Sequence, residues 1–440
     1  MTNKILLILV MLLTAIGFSQ EQKTEFTLQE AIDYALENNR QANNATRDIE
    51  AAKQQKWETI ATGLPQINGN ISYTNNIKQQ FPGIDFNGDN IVDFGAKQNI
   101  TPSATLNQLL FDGSYLVGLQ SAKVFLEISK NAKIKTDLEI RKAVINTYGN
   151  VLLAEESIKI LERNIAVLEK NLNETSRIYE NGLGEEESVE QLKITLSSIK
   201  SNLNKTERLK AIAYQMFNIT LGIEINTKTV LTDALETLTL KNISLATLEA
   251  DVNVENTIDY QIAENEKVSK ELLVKLEQSR ALPTLSGFLT GSYIGNNDNF
   301  RFLNNNQAWA GTAAFGLNLD IPIFGSGLKS AKTQRAKINL ESAEDNLTET
   351  EQKIKLQIAT AKNNYQFAIE DYQNKKENLA LAERIEKKNQ TKFFEGIGSS
   401  FELRQAQTQL YTTQNELLKA MVDIINTKAE LETVLNITNN

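Results

Sequence analysis

The segments LPQINGNISY at residues 64–73 and LPTLSGFLTGSY at residues 282–293 are short, proline-led and alternating, in a chain that otherwise reads as long polar helix. After Pro65 the period of apolar residues changes from helical to two. Ile67, Gly69, Ile71 and Tyr73 share one face, while Gln66, Asn68, Asn70 and Ser72 share the other. Proline has no N–H to give a helix, so Pro65 and Pro283 mark helix-to-strand junctions. Beyond a polar, Gly- and Asn-containing stretch each is followed by a second alternating segment, one running through TPSATLNQLLF to Phe111 and one carrying Phe315, Leu317, Leu319 and Ile321. The reading is four strands in two hairpins, at about 65–75, 102–111, 284–294 and 312–322.

Each segment has roughly the 9–11 residues of a tilted membrane-spanning strand, apolar on one face and small and polar on the other. Tyr73, Tyr293 and Trp309 fall near segment ends, where an aromatic girdle would sit. An open sheet edge in hydrocarbon leaves backbone groups unpaired at several kcal/mol each. Closed barrels begin at about eight strands. Four strands therefore have to be shared with identical copies in a cyclic oligomer, with the helices of each copy continuing the ring as a tube. The competing arrangement is a small four-stranded sheet packed on a helical bundle, in a soluble periplasmic binding protein.

The helices are long and patterned. Gly and Pro number only 21 and 5, which suits uninterrupted helix. A helix is expected from Thr27, where Glu30 completes a capping box, through to Leu64. Another is expected from Ser114 to Asn181. Val144, Tyr148, Val151 and Glu155 open a seam of alternating three- and four-residue steps that runs on to Thr175 and Tyr179, and Ile358, Ala361, Tyr365, Ala368, Tyr372, Lys375, Leu379 and Ala382 form a second. The plan recurs: the run from Asn38 to Pro65 matches that from Asn256 to Pro283, LFDGSYLVGLQSAK answers IFGSGLKSAK, and GLGEEESVEQLKITL lies over GIGSSFELRQAQTQL. The expected layout is a signal peptide at 1–19, a first repeat at 20–222, an insert at 223–250 and a second repeat at 251–440. Lys4 followed by the apolar run Ile5–Ile16 is too short to span a membrane and carries the export signal.

Composition removes whole classes of chemistry. With no His and no Cys, thiol nucleophiles, imidazole bases and Cys/His zinc sites are excluded. A net charge of -9 argues against nucleic acid. Paired carboxylates can still hydrolyse glycosides, but the 55 acids are spread over helices as solvated faces. Trp57 on the first helix reads as packing. The sequence calls for no catalytic residue and no cofactor.

The opening FTLQEAIDYALENN, the twin LP junctions, the twin LFDG and IPIFGSG junctions and GIGSSFELRQAQTQLYTTQNEL together resemble the TolC family of bacterial outer-membrane efflux proteins, over nearly the whole mature chain. The resemblance implies a mainly α fold with a small β part: a homotrimer whose four strands per chain make a twelve-stranded β-barrel, continued by an α-helical barrel across the periplasm. It implies a passive exit duct docking with a periplasmic membrane-fusion adaptor and an inner-membrane transporter of RND or ABC type, or else the outer-membrane component of type I protein secretion. It also implies that residues 223–250 are an irregular equatorial insert outside the tube. A periplasmic gate would involve Glu402 at the acidic position of FELRQA, with Gln405 where Asp is frequent, and Ser188 and Gln191 at the equivalent first-half positions. Glu402 from several copies around one axis would attract cations.

DFNGDNIVDFGA at 85–96 places Asp85, Asn87, Asp89 and Asp93 at calcium-loop positions 1, 3, 5 and 9, but Asn90 and Ala96 stand where the loop needs Gly and Glu. A polar turn between two strands accounts for it as well, leaving a weak calcium candidate.

Overall fold

The computed structural model describes residues 24–77, 84–85, 91–92, 96–249 and 253–437. The signal segment lies outside them. In chain order the elements are β1 (Glu25–Phe26), α1 (Leu28–Asn38), α2 (Arg40–Thr62), β2 (Gln66–Asn75), β3 (Ile84–Asp85), β4 (Ile91–Val92), β5 (Gln98–Phe111), α3 (Gly113–Glu180), α4 (Glu186–Leu221), β6 (Val230–Leu231), α5 (Leu235–Lys241), α6 (Leu245–Glu249), α7 (Ile258–Ser279), β7 (Thr284–Asn297), β8 (Trp309–Asp320), α8 (Leu328–Phe394) and α9 (Ser400–Val434). They divide into two compact units. The first comprises residues up to 46, 133–258 and 352 onwards, and the second 47–132 with 259–351.

The second unit holds the sheet. Its order is β2-β5-β7-β8, antiparallel throughout, with β2 and β8 as unpaired edges. Three glycines let aromatic rings lie flat across the β7–β8 hairpin. A methyl at Gly316 would sit 2.6 Å from the Phe288 ring, one at Gly311 3.0 Å from Tyr293, and one at Gly295 3.0 Å from Trp309, and in each case ring and glycine are direct cross-strand partners. Such ring-on-glycine pairs fix register where glycine alone would leave it loose.

The first unit is helical and carries the main core. Phe26, Ile140, Tyr148, Phe217, Leu221, Tyr365, Ile424 and Leu431 are among its buried side chains. The seam expected on α8 packs as read: Ala361, Tyr365, Ala368, Tyr372 and Ala382 are buried. On α3 the seam holds through Thr175, but Tyr179 is 39% exposed at the helix end.

Three expectations need correction. The helix expected from Thr27 to Leu64 is broken at Asn39, whose extended backbone separates α1 from α2. Asn39 Oδ1 accepts from the Gln41 N–H at 2.7 Å and its Nδ2 donates to the Thr220 carbonyl at 2.7 Å, so the side chain replaces the lost helical bonds. The insert is ordered, not irregular. β6 pairs in parallel with β1, and Leu231, Leu235, Leu238 and Thr239 are buried. Trp57, read as packing, is 57% exposed in the chain.

Candidate functional site

The four strands form a wall with chemically distinct faces. Because partners opposite one another in a ladder point the same way, Ile67, Leu106, Leu289 and Phe315 make one apolar row, and Tyr73, Ile100, Gly295 and Trp309 make another. On the other face Asn68, Thr105, Thr290 and Ala314 form a row, followed by Asn70, Ser103, Ser292 and Thr312. The hydroxyls of Thr105 and Thr290 are hydrogen-bonded at 2.9 Å, and those of Ser292 and Thr312 at 2.8 Å. Asp320 is the only residue of the four strands with a formally charged side chain. The apolar face is left uncovered: Ile67 is 73% and Phe315 80% exposed.

Tyr73, Tyr293 and Trp309 gather on the apolar face at the end of the sheet away from the prolines. Tyr73 meets the rings of Phe300 and Phe302 edge-on, at 5.7 and 6.1 Å between centroids. The sequence reading missed both phenylalanines, which lie in the β7–β8 connection and carry no strand period. Pro65 and Pro283 each stand one residue before a strand, and each follows a helix whose last bonds tighten to three-residue turns, Leu64 N–H to Ala61 O at 3.0 Å and Leu282 N–H to Ser279 O at 3.0 Å. Of the calcium candidates, Asn87, Asp89 and Asp93 lie outside the described residues, and Asp85 pairs with Ile91 in the short β3–β4 ladder. Among the described residues no group of three or more acids could hold a metal.

Within the first unit the two helix pairs turn alike. α3 closes on Gly182 (φ 74°) with Leu183 N–H bonding Ile178 O at 3.0 Å, and α8 closes on Gly396 (φ 72°) with Ile397 N–H bonding Lys392 O at 3.0 Å. This is the Schellman cap, whose left-handed residue glycine adopts without strain. Glu402 is exposed and serves as the return arm of a capping box, accepting from Ser399 N–H at 3.1 Å while Ser399 Oγ accepts from Glu402 N–H at 3.2 Å. Gln405 is exposed. Ser188 is buried, and Gln191 donates to Glu187 at 2.7 Å. Both line a narrow crevice with Leu403 and Arg404.

Above these turns runs a buried polar seam. Asn164 and Asn171 on α3 occupy seam positions beside Leu168 and Thr175. Asn164 Nδ2 donates to Gln414 Oε1 at 2.9 Å, and Gln390 Nε2 donates to Asn171 Oδ1 at 3.1 Å. Gln407 is fully buried. Burial raises the Glu386 carboxyl above its ordinary value, with Gln407 facing it and partly offsetting the shift. Burial, and then Glu386, raise the Tyr411 phenol. The available signal was polar residues at three–four spacing, Asn164, Asn171 and Thr175, which specify partners at a cost in stability.

A family model described as outer membrane efflux protein matches residues 261–436. The fold agrees over much more of the chain. CusC, described as forming a transmembrane channel, superposes with a TM-score of 0.75 at 18% identity, covering 93% of this chain and 91% of that one. The outer membrane protein VceC of Vibrio cholerae gives 0.74 at 16%, covering 93% and 96%, and the CmeC outer membrane channel of Campylobacter jejuni gives 0.74 at 18%, covering 93% and 85%.

Residues 261–436 are thus similar to the outer membrane efflux proteins, and the fold over most of the chain is that of the channels named above.

A comparison with curated proteins finds no match. At these identities the structural likenesses speak for the fold alone, and the family match covers the second half of the chain. No helix among the described residues is long and apolar enough to cross a membrane.

Proposed function

We propose that this chain is the outer-membrane exit duct of a tripartite efflux pump, a passive channel in which three copies close one twelve-stranded barrel. The observation that carries the reading is the uncovered four-stranded wall: β2 and β8 are unpaired edges of opposite direction, so β8 of one copy can extend the antiparallel ladder onto β2 of the next. A ring closed this way has no free edge, which hydrocarbon requires. The apolar face meets lipid, the hydroxyl and amide face lines the pore, and the aromatic cluster around Tyr73, Tyr293 and Trp309 sits at the interface.

The two halves act as structural repeats, each a helix, a hairpin and a long helix pair, with 223–250 as the insert between them. At the helix turns Leu183 is 81% and Ile397 72% exposed. These two apolar tips offer the adaptor its foothold. Glu402 from each copy contributes charge around the axis at the periplasmic mouth. The chain itself performs no chemistry, since its pore face carries hydroxyls and amides without a base or nucleophile arrangement.

Deleting the gene and measuring intracellular accumulation of fluorescent efflux substrates tests this. Accumulation that rises on deletion and falls on complementation is the expected result. Unchanged accumulation, with the protein recovered in a detergent-free periplasmic extract, contradicts it.

A further inference from the structure

The two hairpins have the same register. Gln66 faces Asn107 and Asn75 faces Gln98. Advancing the first residue of each pair by 218, the step from Pro65 to Pro283, and the second by 213, the step from Phe111 to Phe324, gives Thr284 with Asp320 and Tyr293 with Gly311. Both are observed partners. One pair of offsets thus carries the first hairpin onto the second and keeps every side chain on its face.

The contact between hairpins is also seen once, at β5–β7, where Thr105 faces Thr290, Leu106 faces Leu289 and Phe111 faces Leu285. The chain has the equivalent strands, β8 and β2, but they are the unpaired edges. Applying the same offsets, forward by 213 on β5 and back by 218 on β7, turns the β5–β7 ladder into a β8–β2 ladder.

We infer that neighbouring copies of this chain join β8 to β2 in one register, with Asn318 facing Ser72, Leu319 facing Ile71 and Phe324 facing Ile67 of the next copy. This rests on the ring-shaped channel reading and specifies its seam. Two observations support it. The three named pairs keep apolar with apolar and polar with polar: Leu319 and Ile71 both lie on the lipid-type face, Asn318 and Ser72 on the other. The derived apolar partners are the ones the single chain leaves bare, with Phe324 89%, Ile67 73%, Ile71 73% and Leu319 60% exposed. A one-residue slip at the seam would instead set the apolar-face Leu319 opposite the polar-face Ser72 or Asn70.

The junction below the strands fits as well. Gly113, at the exit of the first hairpin, packs against Leu282 and Ser279 at the entry of the second. At the corresponding exit of the second hairpin an added Cβ at Gly325 or Gly327 would meet nothing within 4 Å. The offsets place Leu64 and Ala61 of the next copy there.

The chain has no cysteine, so paired substitutions report the seam without background. In detergent-extracted protein carrying both N318C and S72C, mild oxidation is expected to give covalent dimers and trimers, at least tenfold more than N318C combined with N70C or T74C. D320C with N70C, a second derived pair on the same face, is expected to behave like the first and guards against misfolding of one variant. An oligomer that crosslinks best through a shifted pair overturns the register while leaving the ring intact. Protein that stays monomeric before oxidation overturns the ring and the seam together.

Discussion

Tyr148 on α3 donates its phenolic O–H to Asp233 Oδ2 at 2.9 Å, and the same carboxylate oxygen accepts the Leu28 N–H at 2.8 Å at the start of α1. Tyr365 on α8 ties the other end of the insert, donating to Asn242 O at 2.6 Å and accepting from Ser244 N–H at 2.8 Å. Both tyrosines are fully buried. The insert is thus held at two points by tyrosines on the long helices of the two halves. Burial and the nearby Asp233 push the Tyr148 phenol far above its ordinary value, so it stays a donor at any physiological pH.

Removing one hydroxyl takes a hydrogen bond from the Asp233 carboxylate in one case, and from the Asn242 carbonyl and the Ser244 N–H in the other, at about 1–3 kcal/mol. Y148F and Y365F are each expected to lower the thermal midpoint and to loosen residues 223–250. Hydrogen exchange should report faster exchange in the insert and little change in the sheet.

Gly222 ends α4 at φ 84°, and an added Cβ would run into the Asn38 carbonyl. The left-handed conformation alone costs an alanine about 1–2 kcal/mol, and the clash with backbone adds to it. G222A is expected to reduce yield and midpoint more than G182A, because Gly182 shares the positive φ but has open space around it. Parallel melts of the two variants check this.

Glu386 sets a pH dependence. Its folded-state pKa is raised by burial above the ordinary 4.5, so the folded state binds the proton more tightly than the unfolded chain. The stabilising contribution of the protonated form is complete below 4.5 and is lost as pH rises through the raised value. E386Q is therefore expected to be more stable than the parent at neutral pH, with the difference vanishing in acid. A midpoint-against-pH series for both proteins checks the sign.

The exposed tips give a partner prediction. L183D with I397D is expected to abolish copurification of the periplasmic adaptor while leaving oligomer size and bilayer conductance unchanged, since neither side chain packs within its own chain. Affinity pull-down with and without the substitutions decides it.

What the sequence made legible was local. Pro65 and Pro283 announced where the strands begin, and the Gly182 and Gly396 turns where the long helices reverse, because each depends on backbone geometry that one residue type supplies. The α8 seam was readable because its period repeats over many turns. The outer strand ends were not. β5 starts at Gln98 and β7 runs to Asn297, where Asn, Gln and Gly look like loop and only the ladder orders them. The break at Asn39 depends on Thr220, 181 positions away. The order of the insert likewise depends on Tyr148 and Tyr365, which no local pattern connects to it.

The mass of the protein extracted from outer membranes, measured by light scattering with the detergent contribution subtracted, tests the shared-wall account most directly. The account predicts a single species of three chains that persists on dilution. A stable, well-ordered monomer, or extraction into buffer without detergent, would contradict it.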